Sequence, residues 1–247
     1  MKDQDPQAAQ PASVGSPDPA QLFPFPLDDF QLEAIDALNQ GHSVVVSAPT
    51  GSGKTLVGEY AIYRAISHGQ KVFYTTPLKA LSNQKLRDFR EQFGADNVGL
   101  MTGDLSVNRE ASIVVMTTEI FRNMLYAEAD ESDDPLADVE AVVLDECHYM
   151  NDSQRGTVWE ESIIHCPLPV QLVALSATVA NAGQLTDWIE RVHGPTRLVL
   201  SDFRPVPLQF SFCSAKGLHP LLNDQGTGLH PNCKVWRAPK GNKRKGR

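Results

Sequence analysis

Short apolar runs rich in valine and isoleucine recur along this chain, each followed by a stretch of helical period. Segments 44–47, 71–75, 98–101, 113–116, 139–144, 170–175 and 196–200 read as strands. Several of them, such as Val44-Val45-Val46 and Val142-Val143-Leu144, are apolar at consecutive positions rather than alternate ones. That pattern belongs to parallel strands buried on both faces, because a strand with one wet face alternates. Segments 31–39, 55–68, 78–93, 119–128, 156–164 and 184–192 read as helices. Strand and helix alternate with short joins and without repeats. The expected fold class is therefore α/β, a mostly parallel sheet flanked by helices.

Composition changes at the ends. The first 22 residues are rich in Pro, Ala, Gln and Asp and read as a disordered tail. The expected folded domain covers 23–202. Phe203-Arg204-Pro205-Val206-Pro207 opens a linker over 203–215, since its prolines disfavour both helix and central strand. Segment 216–247 reads as an irregular basic tail, and the acidic stretch 129–138 as a surface loop. The hydrophobic fraction of 41% suffices for a full core. No run approaches the roughly 20 apolar residues of a membrane span, and the start of the chain resembles neither a transit peptide nor a secretory signal. A cytoplasmic setting is expected, with a plastid open if the source is eukaryotic. The four cysteines, Cys147, Cys166, Cys213 and Cys233, form no C-x-x-C pair. They read as buried reduced thiols rather than zinc ligands or disulfides.

Charge narrows the function classes. The formal net charge is −8, but the last fourteen residues hold seven bases and no acid. The remainder carries 15 bases against 30 acids. Such a body is not a bulk-basic nucleic-acid binder; a strand could be tracked only by local backbone and helix-end contacts. The tail reads either as a solvated end with non-specific phosphate affinity or as a functional contact to nucleic acid.

Three segments carry chemistry. Ala48-Pro49-Thr50-Gly51-Ser52-Gly53-Lys54-Thr55 lies between a strand and a helix. Its glycines allow backbone N–H groups to curl around phosphate oxygens, and the following helix turns its positive end toward them. Lys54 can reach the β and γ phosphates, and Thr55 can place its hydroxyl on Mg²⁺. Asp145-Glu146-Cys147-His148 ends another buried strand, where open α/β sheets present ligand groups. Asp145 suits Mg²⁺ held through water, and Glu146 suits the base that deprotonates the attacking water. Ser176-Ala177-Thr178 follows a third strand and by itself reads as a strand end with a helix cap beyond it.

Together these segments resemble the first RecA-like domain of superkiller-type (Ski-like) DExH-box RNA helicases of superfamily 2, over roughly 25–208. Thr76-Pro77-Leu78-Lys79-Ala80-Leu81-Ser82-Asn83-Gln84-Lys85 resembles that family's motif Ia. Met101-Thr102-Gly103-Asp104 and Thr117-Thr118-Glu119-Ile120 resemble its later strand-contacting motifs. The most specific block is Asp145 to Asp152 with Arg155-Gly156 and Val158-Trp159-Glu160-Glu161. Cys147 stands where the commoner form has valine, which is similar to cyanobacterial and plastid members.

The resemblance implies a P-loop nucleoside triphosphatase that uses ATP and Mg²⁺. It implies nucleotide contacts from Pro49, Thr50, Gly51, Ser52, Gly53, Lys54 and Thr55, metal contact from Thr55 and Asp145, and catalysis by Glu146, Asp145 and Lys54. His148, Ser176 and Thr178 become coupling residues. Pro77, Lys79, Asn83, Gly103, Thr117 and Thr118 become contacts to single-stranded RNA, with DNA possible. Phe25 and Gln31 resemble the Q motif, a ring to stack on adenine and an amide to pair with it; on spacing alone they read equally as an aromatic staple and a helix-start glutamine. The family's second RecA-like domain, with its catalytic arginines, is missing here, so the chain reads as a truncated helicase. A DNA helicase of the same superfamily, or a non-catalytic nucleotide- or RNA-binding module, is the alternative.

Overall fold

The valine run that opens the sheet, Ser43–Ser47 (β1), is buried at all five positions. It can be so because both faces are covered. Val44 and Val46 join one apolar cluster and Val45 joins the other. The computed structural model describes residues 15–126, 135–152, 156–214, 217–231 and 233. Expected features at 1–14, in the 129–134 part of the acidic loop, at Arg155 and in the basic tail from 234 lie outside the described residues.

The strands after β1 are Lys71–Thr76 (β2), Val98–Met101 (β3), Ser106–Val107 (β4), Ile113–Thr117 (β5), Val139–Leu144 (β6), Gln171–Ser176 (β7) and Thr196–Leu200 (β8). They form one sheet in the order β4-β3-β5-β2-β6-β7-β1-β8. Every pairing is parallel except β3 with β4. The edge strand β4 is two exposed residues long, so it carries no alternation a sequence could reveal.

The helices are Pro19–Leu22 (α1), Asp29–Asn39 (α2), Thr55–Ser67 (α3), Lys79–Phe93 (α4), Thr118–Tyr126 (α5), Gly156–His165 (α6) and Ala182–Val192 (α7). Residues of α2, α3 and α4 share a core with one face of the sheet, and residues of α5, α6 and α7 with the other. Helix α2 starts two residues before the expected position because Gln31 Oε1 accepts from the Asp28 N–H at 2.9 Å, the return half of a capping box.

The segment before α2 is anchored. The Asp18 carboxylate caps α1, and Phe23 is buried with its ring 6.0 Å edge-on from Tyr63 of α3. The Tyr60 hydroxyl is shared between Asn39 Oδ1 at 2.9 Å and the Pro17 carbonyl at 3.2 Å. A buried ion pair ties α3 to the sheet at the start of the strands. Arg64 Nε meets Glu140 Oε1 at 2.5 Å, and the same guanidinium donates to the Leu38 carbonyl and to Gln171 Oε1.

Contacts divide the chain after Phe203. The second unit holds Ser211–Ser214 (β9) and Gly217–Pro220 (β10), antiparallel with Leu218 opposite Cys213 and His219 opposite Phe212. This hairpin stands where proline and glycine punctuation reads as linker and irregular chain. Two four-residue strands give too short a pattern to register against that punctuation.

Candidate nucleotide site

Because the central strands are parallel, their C-terminal ends share one edge of the sheet. Ser47 of β1 lies opposite Ser176 of β7, Ala174 of β7 opposite Leu144 of β6, and Leu144 opposite Thr75 of β2. The segments 48–55, 145–148 and 176–178 therefore emerge side by side. The turns after β2, β3 and β5 emerge on the neighbouring half of the edge.

The 48–55 loop leaves β1 with the Ala48 N–H donating to the Ser176 carbonyl at 3.2 Å. Gly51 and Gly53 adopt φ of 83° and 84°, the left-handed region open to glycine. The N–H groups of Gly51, Gly53 and Lys54 have no partner among the described residues, and Ser52 Oγ is buried without one. Lys54 is 6% exposed yet makes no ion pair among the described residues. A lysine packed into the loop beside unpaired donors at a helix start fits an anionic, oxygen-rich ligand. Thr55 is half-buried at the first position of α3; Pro49 is buried and Thr50 exposed.

Asp145 is 7% exposed, and both of its oxygens are held. Oδ1 accepts from the Glu146 N–H at 2.9 Å, and Oδ2 accepts from the Tyr74 hydroxyl at 2.8 Å. Burial, then the charge of Asp145, pushes the Tyr74 phenol well above its usual range, so it stays a donor at neutral pH. Glu146 sits at φ 54°, ψ 39°, a conformation a residue with a Cβ rarely adopts outside functional turns. No cluster of three or more His, Cys, Asp or Glu residues able to hold a metal occurs among the described residues. The oxygen donors at hand, the Asp145 carboxylate and the Thr55 hydroxyl, are of the kind Mg²⁺ takes, with waters and phosphate oxygens completing its shell.

His148 bridges two segments. Its Nδ1 lies 3.3 Å from Glu146 Oε2 and accepts from the Ala177 N–H at 3.4 Å. Ser176 is buried and donates to the Ala177 carbonyl at 2.8 Å, whereas Thr178 is exposed. Cys147 is buried beside Ser176; desolvation pushes its thiol up to about 12, which leaves it inert at neutral pH. The Ser47 hydroxyl, not foreseen from sequence, accepts from the Val179 N–H at 3.4 Å and thereby ties the P-loop strand to the 176–178 turn.

Gln31 is 4% exposed, and its Nε2 donates to the Gly53 carbonyl at 3.0 Å. Phe25 is 52% exposed, 6.1 Å from the Phe23 ring. On the other half of the edge, Pro77, Lys79, Gly103 and Thr117 line one groove with Glu119, Ile120 and Asn123. Asn83 is exposed one turn further along α4. Thr118 differs from its companions: it is fully buried, and its hydroxyl donates to the Thr76 carbonyl at 3.3 Å. Lys79 Nζ pairs with Asp104 Oδ1 at 2.9 Å, and that hydrogen bond holds the Asp104 carboxyl below its usual range.

A family model for DEAD/DEAH box helicases matches residues 28–185, which include every site residue just described except Phe25. The chain belongs to the DEAD/DEAH box helicases. Among relatives of this helicase domain, the DExH-box ATP-dependent RNA helicase DExH15, chloroplastic, of Arabidopsis thaliana is 55% identical over 85% of the chain. The antiviral helicase SKI2 of Saccharomyces cerevisiae is 48% identical over 87% of it. The chain spans 18% and 17% of the length of these two relatives. The crystal structure of the DUF1998 helicase MrfA bound to DNA and AMPPNP matches 72% of the chain and 27% of its own, with TM-score 0.60 and 21% identity. That likeness carries the fold, which is RecA-like. The Ski-like DExH resemblance thus holds for the helicase domain as a whole.

Proposed function

We propose that this helicase domain binds Mg·ATP and forms one wall of the hydrolysis site of an ATP-driven RNA helicase. The observation that carries the reading is the buried Lys54, which has no ion-pair partner among the described residues, in a loop where the N–H groups of Gly51, Gly53 and Lys54 likewise have none. Lys54 and the amides of Gly51, Gly53 and Lys54 hold the β and γ phosphates. Thr55 and Asp145 face Mg²⁺, which when bound neutralises phosphate charge. Glu146 takes the proton of the attacking water. His148, poised between Glu146 and Ala177, passes the state of that carboxylate to the turn containing Ser176 and Thr178.

For the base, Phe25 supplies a stacking face. Gln31 keeps one N–H and one oxygen lone pair beyond its contacts to Gly53 and Asp28. Adenine N7 and N6 call for that pair of groups. Single-stranded RNA follows the groove at Pro77, Lys79, Gly103 and Thr117, with Asn83 alongside. A second RecA-like domain supplies the arginines of the opposite wall. The name of the Arabidopsis relative, an RNA helicase, supports RNA over DNA, and a cytoplasmic or plastid setting belongs to the same reading. No helix among the described residues is long and apolar enough to cross a membrane.

The test is calorimetry with a non-hydrolysable ATP analogue and Mg²⁺. Lys54→Ala weakens binding at least about tenfold, the scale of one charge-assisted contact. Equal affinity in parent and variant refutes the site. RNA preference is read by ATPase stimulation with single-stranded RNA against single-stranded DNA, on a chain extended by a second RecA-like domain.

A further inference from the structure

The Asp145 carboxylate is fixed from two sides, and one of them comes from the neighbouring strand β2, whose Thr75 carbonyl also accepts from the Asp145 N–H at 3.0 Å. Tyr74 of β2 donates its hydroxyl to Oδ2 at 2.8 Å, while the Glu146 N–H holds Oδ1 at 2.9 Å. A carboxylate rotates easily about its Cβ–Cγ bond, and one donor on each oxygen removes that freedom. About four lone-pair sites serve a carboxylate, so two remain to face other ligands.

The tyrosine is itself immobilised. Its ring is fully buried and meets the Phe89 ring edge-on at 5.0 Å. Lys85 Nζ lies 5.3 Å from the ring centroid. On the third side is Gly58 of α3, the helix that begins at the phosphate loop. A Cβ there would lie 3.2 Å from Tyr74 Cε2. The ring therefore fills a slot between the phosphate helix and the strand next to the carboxylate. A tyrosine needed for packing alone has no use for an acceptor in the site, and phenylalanine would fill the same slot.

We infer that Tyr74 is a positioning residue that aims Asp145 at the water shell of the nucleotide-bound divalent cation, so that the gain in nucleotide affinity conferred by Mg²⁺ depends on the Tyr74 hydroxyl. The inference rests on the metal role proposed for Asp145. Partners that orient a metal-binding carboxylate are typically worth about 10–100-fold in metal affinity.

The experiment measures ADP binding to the chain of residues 1–247 by calorimetry, in EDTA and across a Mg²⁺ series. The readout is the ratio of affinities with and without Mg²⁺. Tyr74→Phe keeps the EDTA affinity and lowers the ratio about tenfold. Tyr60→Phe, which loses hydroxyl contacts to Asn39 and Pro17 far from the carboxylate, keeps the parent ratio even where its melting temperature falls. A parent-like ratio in Tyr74→Phe, with Lys54→Ala still defective in binding, overturns the inference and leaves the nucleotide site standing. Full ADP affinity in Lys54→Ala overturns both. If Tyr74→Phe does not fold, the ratio is read in Gly58→Ala, whose methyl presses on the ring; a ratio equal to the parent's there overturns the inference.

Discussion

Nε2 of Gln31 donates to the carbonyl of Gly53 at 3.0 Å, which hooks the first turn of α2 onto the phosphate loop. Gly53 is at φ +84°, and a Cβ on it would come within 2.8 Å of that same Nε2. The loop and the glutamine are therefore one unit.

Gln31→Ala removes both the hook and the capping-box partner of Asp28. It lowers stability by about 1 kcal/mol, the usual scale of a lost cap, and shrinks the preference for ATP over GTP. Thermal melts check the first effect and competition binding of the two nucleotides the second. Equal binding of ATP and GTP by the parent chain removes the base-reading role and leaves the phosphate site untouched.

Glu146 yields two effects that separate chemistry from backbone strain. Glu146→Gln keeps ATP affinity and abolishes hydrolysis in a chain joined to a second RecA-like domain, because the amide keeps the shape and loses the base. Glu146→Gly is more stable than Glu146→Ala by about 1 kcal/mol, since φ 54° suits glycine and strains alanine. Steady-state ATPase assays and denaturant melts read the two outcomes. Equal melting of the glycine and alanine variants would show that the turn relaxes at no cost.

The Lys79–Asp104 pair lies on an exposed surface, where ion pairs add little stability. Asp104→Asn therefore leaves the melting temperature within about a degree of the parent's. It also releases Lys79 toward a phosphate and raises affinity for single-stranded RNA, with a steeper salt dependence. Anisotropy titrations at two salt concentrations test this. Unchanged affinity would place the strand elsewhere.

Burial pushes the thiols of Cys147 and Cys166 from 9.0 to about 12. The unfolded chain releases these protons first, so the stabilisation is fully present below about pH 9 and is lost as pH rises toward about 12. The buried phenols of Tyr60 and Tyr74 shift upward as well and act in the same direction. Urea melts between pH 8 and 11 therefore show falling stability for the parent. The fall is shallower for the double variant Cys147→Ala, Cys166→Ala. Identical slopes would exclude the thiols as the source.

Features encoded over a few neighbouring residues were legible in the sequence. The buried valine runs announced the parallel strands, and the Gly51-Ser52-Gly53-Lys54 turn and the Asp145-Glu146 pair stood at strand ends. Contacts between distant residues were not legible. Tyr74 looks like any aromatic in a β run, and its partner Asp145 lies on another strand; the hint was that a phenol in a fully buried strand must find an acceptor. Ser47 likewise looks like a strand end until Val179 is brought to it. Thr118 shows the reverse: its place in a motif suggests surface contact, yet its hydroxyl closes a strand end inside the domain. Strand β4 and the β9–β10 hairpin are too short and too exposed to write a period into the sequence.

The bare α-carbon of Gly58 has a consequence for inheritance. A methyl there would press on Tyr74 and on Val143, each at 3.2 Å, and would rest in ordinary contact with Leu175 at 3.5 Å, residues drawn from three strands. A descendant that acquires a side chain at position 58 must ease the Tyr74 ring aside by a few tenths of an ångström, and with it the hydroxyl that holds Asp145. The two positions are thus bound to one another: what happens at 58 is felt at the Asp145 carboxylate through the ring at 74.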